Sequence, residues 1–146
     1  MNLPEYVTRE EVKRVCRELG IRDWTALSTS DVLPEDAQLL QDLVGAEATQ
    51  ITAAAFQRGL EVELEHGLEF SDANVTNNHP ILTAKIVLAH LKEMLDYYER
   101  LEVAELEGDL LKALIAGDLK KARSKAAALA VARRGLALRE QEQLAA

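Results

Sequence analysis

The sequence is poor in aromatic residues, proline and cysteine. Aromatic side chains make up 4% of the 146 residues, and proline occurs only three times. This scarcity, beside abundant alanine, leucine and glutamate, favours helices that pack through small and aliphatic side chains. Hydrophobic residues make up 48% of the chain, which suffices for the core of one domain. The sequence therefore predicts an all-α fold, a small bundle of five or six helices.

Three further absences bear on where the protein acts. No apolar run approaches the roughly 20 residues that a transmembrane helix needs, so we expect no membrane partner. The first residues show neither the basic region nor the apolar stretch of a signal peptide. Cys16 is the single cysteine and lies on the apolar face of a predicted helix, which indicates a buried thiol rather than a reactive one. Together these observations predict a cytoplasmic protein.

The net charge of -8 is distributed unevenly along the chain. Residues 119–146 hold seven basic and two acidic residues, whereas residues 1–118 hold 10 basic and 23 acidic ones. The acidic part would repel phosphate, so we expect no nucleic-acid partner. The basic part is predicted to dock on an acidic surface, either of this chain or of an acidic protein partner. We interpret residues 1–118 as a helical domain and 119–146 as a basic, Ala-rich helical extension.

Capping signals place the first two helices. Thr8-Arg9-Glu10-Glu11 is a capping box that opens a helix, and Gly20 is suited to end it. Trp24 is expected to close one edge of the core. Pro34 then suits the first position of a short second helix that continues to Val44.

The next two helices are predicted to form a central antiparallel hairpin. Residues 46–66 contain no strong helix breaker except Gly59, and Gly67 is the predicted end of that helix. The longest helix is predicted over 80–107, starting at Pro80, with a brief interruption at Gly108. Because a loop of about a dozen residues joins the two helices, they are expected to pack antiparallel, with the N-terminal helices against them.

The central hairpin carries the candidate site. One helix offers Glu-x-x-His (Glu63, His66), and the other offers His-x-x-Glu (His90, Glu93). A carboxylate and an imidazole on one helical face can reach the same cation, as in ferritin-like di-iron bundles, and this mixed ligand set suits Fe, Mn or Zn. The side chains expected to orient these metal ligands are Glu65, Asp96, Tyr97 and Tyr98.

A structural role for the same residues is the main alternative. His66 at a helix C-terminus is favoured there as a cation, and Glu63, His90, Glu93 and the tyrosines can form a hydrogen-bonded cluster. The second motif is reversed relative to the ferritin-like pattern, and Glu47 is the only other acid expected to point inward. His90 also lies nearly three turns into its helix, an offset that a symmetric dimer would remove. His79, next to Pro80, is expected to cap the helix rather than bind a metal.

At these residues the sequence resembles a family of small uncharacterised helical proteins of bacteria and viruses, a domain of unknown function. The shared segments are Gly-Leu-Glu-Val-Glu-Leu-Glu-His-Gly at 59–67, Asn74-Val75-Thr76, Pro80, Thr83-Ala84-Lys85-Ile86, Ala89-His90-Leu91-Lys92-Glu93 and Asp96-Tyr97-Tyr98. The resemblance covers about residues 45–106 and leaves the basic tail outside. It implies no particular activity, but it implies that the candidate site residues belong to one unit; they are Glu63, Glu65, His66, His90, Glu93, Asp96 and Tyr97.

Two functions are compatible with these features. The first is a small cytoplasmic metal-binding helical protein, loosely ferritin-like, with a divalent Fe, Mn or Zn ion as its cofactor. The second is a non-catalytic interaction or assembly protein, whose basic tail binds an acidic partner or another copy of the chain. A homo-oligomer, most simply a dimer, is expected in either case. An ordinary hydrolase is not indicated, because the sequence has no Gly-x-Ser-x-Gly motif and no Cys–His arrangement.

Overall fold

The computed structural model describes residues 6–46 and 50–145, and within them the fold is all-helical. The described residues form six α-helices and no strand, which confirms the predicted fold class. The helices are α1 (Arg9–Leu19), α2 (Pro34–Leu43), α3 (Ala53–Glu69), α4 (Pro80–Glu93), α5 (Tyr97–Ile115) and α6 (Leu119–Ala145), and a 3-10 turn at Trp24–Ala26 follows α1. None of the described helices is both long and apolar enough to cross a membrane.

The chain forms two compact units, Met1–Leu95 and Asp96–Ala146. The first unit holds α1 to α4, and the second holds α5 and α6. The domain boundary predicted between residues 118 and 119 falls in the turn between α5 and α6, within the second unit. The division into a domain and an extension stays a prediction.

The first unit is built on α3 and α4, against which α1 and α2 pack. Gly67 of α3 lies beside Asn78 at the start of α4, and Glu63 lies beside His90, so the two helices run antiparallel as predicted. The completely or almost completely buried side chains of this core come from every element: Val12, Cys16, Trp24, Leu40, Phe56, Leu60, Leu64, Val87 and Leu91. Burial raises the pKa of the Cys16 thiol, in agreement with the expected inert cysteine.

The expected caps of the first unit are present. The amide of Glu11 donates to the hydroxyl of Thr8 at 3.1 Å, and Gly20 ends α1 in the left-handed region with φ of 70°. Pro34 and Pro80 each stand at the start of a helix. These residues predicted the helix ends correctly because each one satisfies or replaces a backbone group that a helix end leaves unpaired.

The helix boundaries around the candidate site differ from the prediction. α3 begins at Ala53 rather than at 46, because the Thr52 hydroxyl caps it by accepting from the Ala55 amide. It also continues through Gly67 to Glu69, so Gly67 is an interior helical residue and does not end the helix. The predicted inward acid Glu47 lies outside the described residues.

The predicted helix over 80–107 is two helices. α4 ends at Glu93, because the backbone at Met94 is extended, with φ of −149° and ψ of 128°. Asp96 precedes α5 and accepts a hydrogen bond from Arg100 within the second unit. No glycine or proline in the sequence marks this helix boundary. Gly108, predicted as an interruption, lies inside α5, which continues from Tyr97 to Ile115. Helix propensity alone therefore predicted neither the break after Glu93 nor the continuity at Gly108.

Candidate functional site

Glu63 of α3 and His90 of α4 meet across the central hairpin. The Nδ1–H of His90 donates to Oε1 of Glu63 at 3.1 Å. The side chains are 18% exposed for Glu63 and 30% exposed for His90, so the contact lies at the edge of the core. The expected offset between the two residues is overcome within one chain. Since α3 continues past His66, Glu63 stands well inside the helix rather than near its end.

The other two predicted metal ligands do not complete a site around this pair. His66 is half-buried beside Phe70, with ring centroids 6.4 Å apart. Glu93 is exposed at the last residue of α4. Among residues 6–46 and 50–145, no group of three or more His, Cys, Asp or Glu side chains is arranged to hold a metal ion. The contact between Glu63 and His90 is thus the part of the predicted constellation that the structure brings together.

A cleft of about 290 Å³ opens beside this pair, between the end of α3, the loop over 70–79 and the first turns of α4. Glu63 and His66 stand on one wall, and Asn74 and Asn78 come from the loop. Ile86 contributes an apolar side. The cleft combines a carboxylate, an imidazole and amides with aliphatic surface.

The loop that forms the cleft is held to α3 through Gly67. The side-chain amide of Asn74 donates to the carbonyl of Gly67 at 3.0 Å and to Oδ1 of Asn78 at 2.7 Å. A Cβ atom at Gly67 would stand 2.2 Å from Oδ1 of Asn78, so only glycine leaves room for this contact. Asn77 and Asn78 are both left-handed, with φ of 48° and 60°, a conformation that asparagine tolerates better than most residues. This role of Gly67 was not predicted from the sequence, although the Asn-rich loop was a signal for side chain-to-backbone bonding.

His79 acts as a helix cap, and Glu65 is exposed to solvent. Nδ1 of His79 accepts from the Leu82 amide, so His79 caps α4 as predicted. Burial lowers the pKa of His79, which favours the neutral ring that such acceptance requires. Glu65 is exposed and borders a shallow depression with Ser28–Ser30.

Asp96, Tyr97 and Tyr98 belong to the second unit, whereas the other predicted site residues belong to the first. Asp96 is buried and accepts from Arg100 at 3.0 and 2.9 Å. These bonds hold the pKa of Asp96 below its usual range. The rings of Tyr97 and Tyr98 contact each other edge-on at 5.2 Å. Each of the three therefore has a partner within its own unit.

The basic helix α6 docks on the acidic helix α5 of the same chain. Among the described residues, ion pairs join the two helices at Glu99–Arg139, Arg100–Glu140, Glu107–Arg133 and Asp109–Lys125, at 3.7, 2.8, 2.6 and 2.7 Å. The partners follow in opposite order along the helices, so α5 and α6 form an antiparallel hairpin. The acidic surface expected for the basic tail is thus provided by the chain itself.

The described chain is a small helical protein with a polar contact between two central helices and a separate helical hairpin. The sequence profile described as "Protein of unknown function (DUF5661)" matches residues 12–107, about two thirds of the chain. The chain belongs to this family. The match begins earlier than the resemblance noted in the sequence, and α6 lies beyond it. No curated protein and no solved structure is detectably similar to the chain.

Proposed function

We propose that this chain is a non-catalytic assembly protein of the cytoplasm, with the α5–α6 hairpin as its interaction element. The observation that carries the proposal is the distribution of apolar side chains on the hairpin. The buried ones are Tyr98, Ala113, Ala122 and Leu129, whereas the exposed large ones are Leu111, Leu114, Ile115, Leu119, Val131, Leu138 and Leu144. We infer that part of this exposed aliphatic surface binds a partner, since continuous exposed apolar surface is typical of interaction sites.

The size of the hairpin supports the same proposal. Two helices bury little surface between them, and the ion pairs named above lie at exposed or half-exposed positions, where such pairs contribute about 0–1 kcal/mol each. A further surface packed on α5 or α6 would stabilise the hairpin by burying its exposed leucines. An acidic protein partner is one such surface, since α6 keeps Lys120, Lys121, Arg123 and Arg134 exposed.

In this proposal the contact between Glu63 and His90 is architectural. The bond ties α3 to α4 at the edge of the core, where an unpaired carboxylate or imidazole would be costly. The cap at His79 and the packing of Asn78 on Gly67 serve the same hairpin. These contacts rigidify the first unit and require no reaction.

The proposal is tested by the native mass of the full chain isolated from cells that produce it. We expect a complex heavier than 16.1 kDa. The complex should be lost when Leu111, Leu119, Val131 and Leu138 are all changed to Gln, because these side chains are exposed and their exchange spares the core. A matched control is Leu39→Gln/Leu43→Gln on α2, where both leucines are also exposed. A monomeric wild-type chain, or a complex that survives the hairpin changes, would refute the proposal.

Metal binding is the second candidate function, with Glu63, His66, His90 and Glu93 as the ligands. It is favoured by one observation, the direct approach of a carboxylate and an imidazole from two different helices. Glu63 and His66 also line the same cleft near the C-terminal end of α3, where the helix dipole attracts a cation. A metal ion would need a third ligand, and that side chain would have to move toward Glu63 and His90.

Elemental analysis of the full chain, purified without chelator, separates the two candidates. The metal hypothesis predicts near-stoichiometric Fe, Mn or Zn that is lost in both Glu63→Gln and His90→Gln. His79→Asn, which keeps a capping side chain on α4, is the control that should retain the metal. A metal-free wild type that takes up none of the three ions on titration would leave the architectural role as the explanation of the contact.

A further inference from the structure

α5 carries an apolar stripe on its exposed surface. Ala104, Gly108, Leu111 and Ile115 follow one another at spacings of four, three and four residues, which places them on one side of the helix. Leu111 is 59% exposed and Ile115 is 79% exposed, although both are large aliphatic residues. We call these four residues the α5 stripe. Its spacing is that of a helix that packs against another helix along its length.

Gly108 lies at the centre of the stripe, in the interior of α5 with an ordinary helical backbone, and a Cβ added there would meet no atom within 4 Å. Open space alone does not single it out, since Gly135 of α6 has it as well. At Gly108 the missing side chain leaves room for a second helix to approach the stripe closely.

Charge indicates what approaches the stripe. Residues 96–146 contain nine acidic and nine basic residues, so the second unit is neutral, and the net charge of -8 lies entirely in residues 1–95. A neutral surface with both signs meets no net repulsion from a copy of itself, and opposite charges on it can face each other in the two copies. Most acidic residues of the second unit lie on α5, and most basic ones lie on α6. The residues beside the α5 stripe nevertheless include one of each sign, Glu105 and Lys112.

We propose that the occupant of the α5 stripe is α5 of a second copy, packed antiparallel about a two-fold axis at Gly108. This inference rests on the proposed assembly function and names its partner. A two-fold axis at residue 108 sets Leu111 near Ala104 of the second copy, a large side chain against a small one. It also sets Lys112 near Glu105 of the second copy, which gives two opposite-charge contacts. Glu107 and Asp109 near the axis already pair with Arg133 and Lys125 of their own chain, so their charges do not oppose the contact. Lys112 lies 3.6 Å from Asp109 of its own helix but is 80% exposed, so it can also meet a charge of the second copy.

The first test is sedimentation equilibrium of the purified full chain. We expect a dimer of twice 16.1 kDa, and at least a tenfold rise in the dimer dissociation constant for Leu111→Gln/Ile115→Gln. Leu39→Gln/Leu43→Gln, an exposed pair with the same spacing on α2, should leave the constant unchanged. A wild type that stays monomeric when pure, or forms trimers, overturns this inference. If the chain from cells is nevertheless part of a larger complex, the proposed assembly function stands and only the identity of the partner is wrong.

Two glycines of the hairpin provide a matched comparison. Gly108→Leu should weaken the dimer at least tenfold, because a leucine at the axis holds the helices apart. Gly135→Leu on α6 should not, although Gly135 is likewise helical with nothing within 4 Å of an added Cβ. Neither change meets a neighbour within the chain, so helical content by circular dichroism should stay at the wild-type level for both. An equal effect of the two changes would overturn the position of the axis.

A charge exchange tests the antiparallel register. Glu105→Lys alone and Lys112→Glu alone should each weaken the dimer, since each creates two like-charge contacts. The double variant Glu105→Lys/Lys112→Glu should recover most of the wild-type dissociation constant, because the exchanged charges face each other again in the two copies. The two residues are seven positions apart on one helix, too far to pair directly with each other within a single chain. If the dissociation constant of the double variant rises by the product of the two single effects, the proposed antiparallel register is wrong.

Discussion

Gly67→Ala should destabilise the first unit, although alanine is the better helix former. In an unhindered helix interior this exchange stabilises by about 1 kcal/mol. Here the new Cβ would stand 2.2 Å from Oδ1 and 3.3 Å from Cγ of Asn78, and 2.9 Å from Nδ2 of Asn74. Asn78 is 8% exposed and cannot swing into solvent without losing its bond to Asn74. Overpacking and a lost buried hydrogen bond each cost roughly 1–3 kcal/mol, so the expected net loss is about 2 kcal/mol.

The fluorescence of Trp24 provides the assay. Trp24 is the only tryptophan of the chain, is fully buried and belongs to the first unit, so its signal reports the unfolding of that unit. A loss of about 2 kcal/mol in a unit of this size lowers the melting temperature by roughly 8–16 °C. Gly135→Ala, in open space on α6, should not lower it.

A second substitution isolates the cause of the predicted loss. Asn78→Gly removes the side chain that the new methyl group would strike, and glycine accepts the left-handed backbone at this position. In the Asn78→Gly background, Gly67→Ala should be less destabilising than in the wild type, because the contacts with Asn78 are gone and only Nδ2 of Asn74, at 2.9 Å, stays close to the new methyl group. The difference between the two effects is the coupling energy. The reasoning is refuted if Gly67→Ala leaves the wild-type melting temperature unchanged or raises it.

Three smaller predictions concern single side chains. The pKa of Asp96 is lowered in the folded state, so its pair with Arg100 stabilises the hairpin above the usual carboxyl pKa and loses that effect as pH falls. Asp96→Asn should cost about 1 kcal/mol at pH 7, since Arg100 is partly exposed, and almost nothing near pH 2, as measured by urea unfolding followed by circular dichroism. Burial raises the pKa of Asp36, and its Oδ2 bonds to no described residue. Asp36→Leu should therefore stabilise the first unit by about 1 kcal/mol at pH 7, and by less in acid, where the carboxyl group is neutral. An unchanged melting temperature in the Trp24 assay would contradict this. Thr52→Ala should cost about 1 kcal/mol in the same melting assay through the lost cap of α3, and Thr52→Ser should restore it.

Local signals in the sequence predicted helix ends where one side chain decides them. Thr8, Gly20, Pro34 and Pro80 each act on backbone groups within four residues, so their effect can be read without the fold. His79 belongs with them, because its ring accepts from an amide three residues ahead.

Boundaries that depend on distant contacts were missed. Gly67 has the residue type of a helix end, yet α3 passes through it because Asn78, 11 residues later, packs on its bare backbone. At this position a tertiary contact overrides the tendency of glycine to end a helix. The break after Glu93 was also missed: the backbone at Met94 is extended there, and α5 begins after Asp96 at a place that no glycine or proline marks.

The candidate site shows a similar division. The periodicity of two helices predicted Glu63 and His90 as ligands of one metal ion, and the structure brings these two side chains within 3.1 Å of each other. Periodicity fixes the face on which a residue lies but leaves its height along the neighbouring helix open. That height depends on where each helix begins and on how the connecting loop folds. Thr52 sets the start of α3, His79 caps α4, and the Asn-rich loop packs on Gly67. The metal site over Glu63, His66, His90 and Glu93 therefore stays a prediction that elemental analysis decides.

The extent of the family match separates two kinds of property in this chain. The match ends at residue 107, inside α5, and Glu107 itself pairs with Arg133 of α6 beyond it. The contact between Glu63 and His90, the packing at Gly67 and the cap of α4 all lie within the match. Leu111, Ile115 and the whole of α6, which carry the proposed assembly, lie outside it. The match therefore includes the cleft and contacts of the first unit and the first half of α5 with Ala104, whereas the large side chains of the α5 stripe follow it.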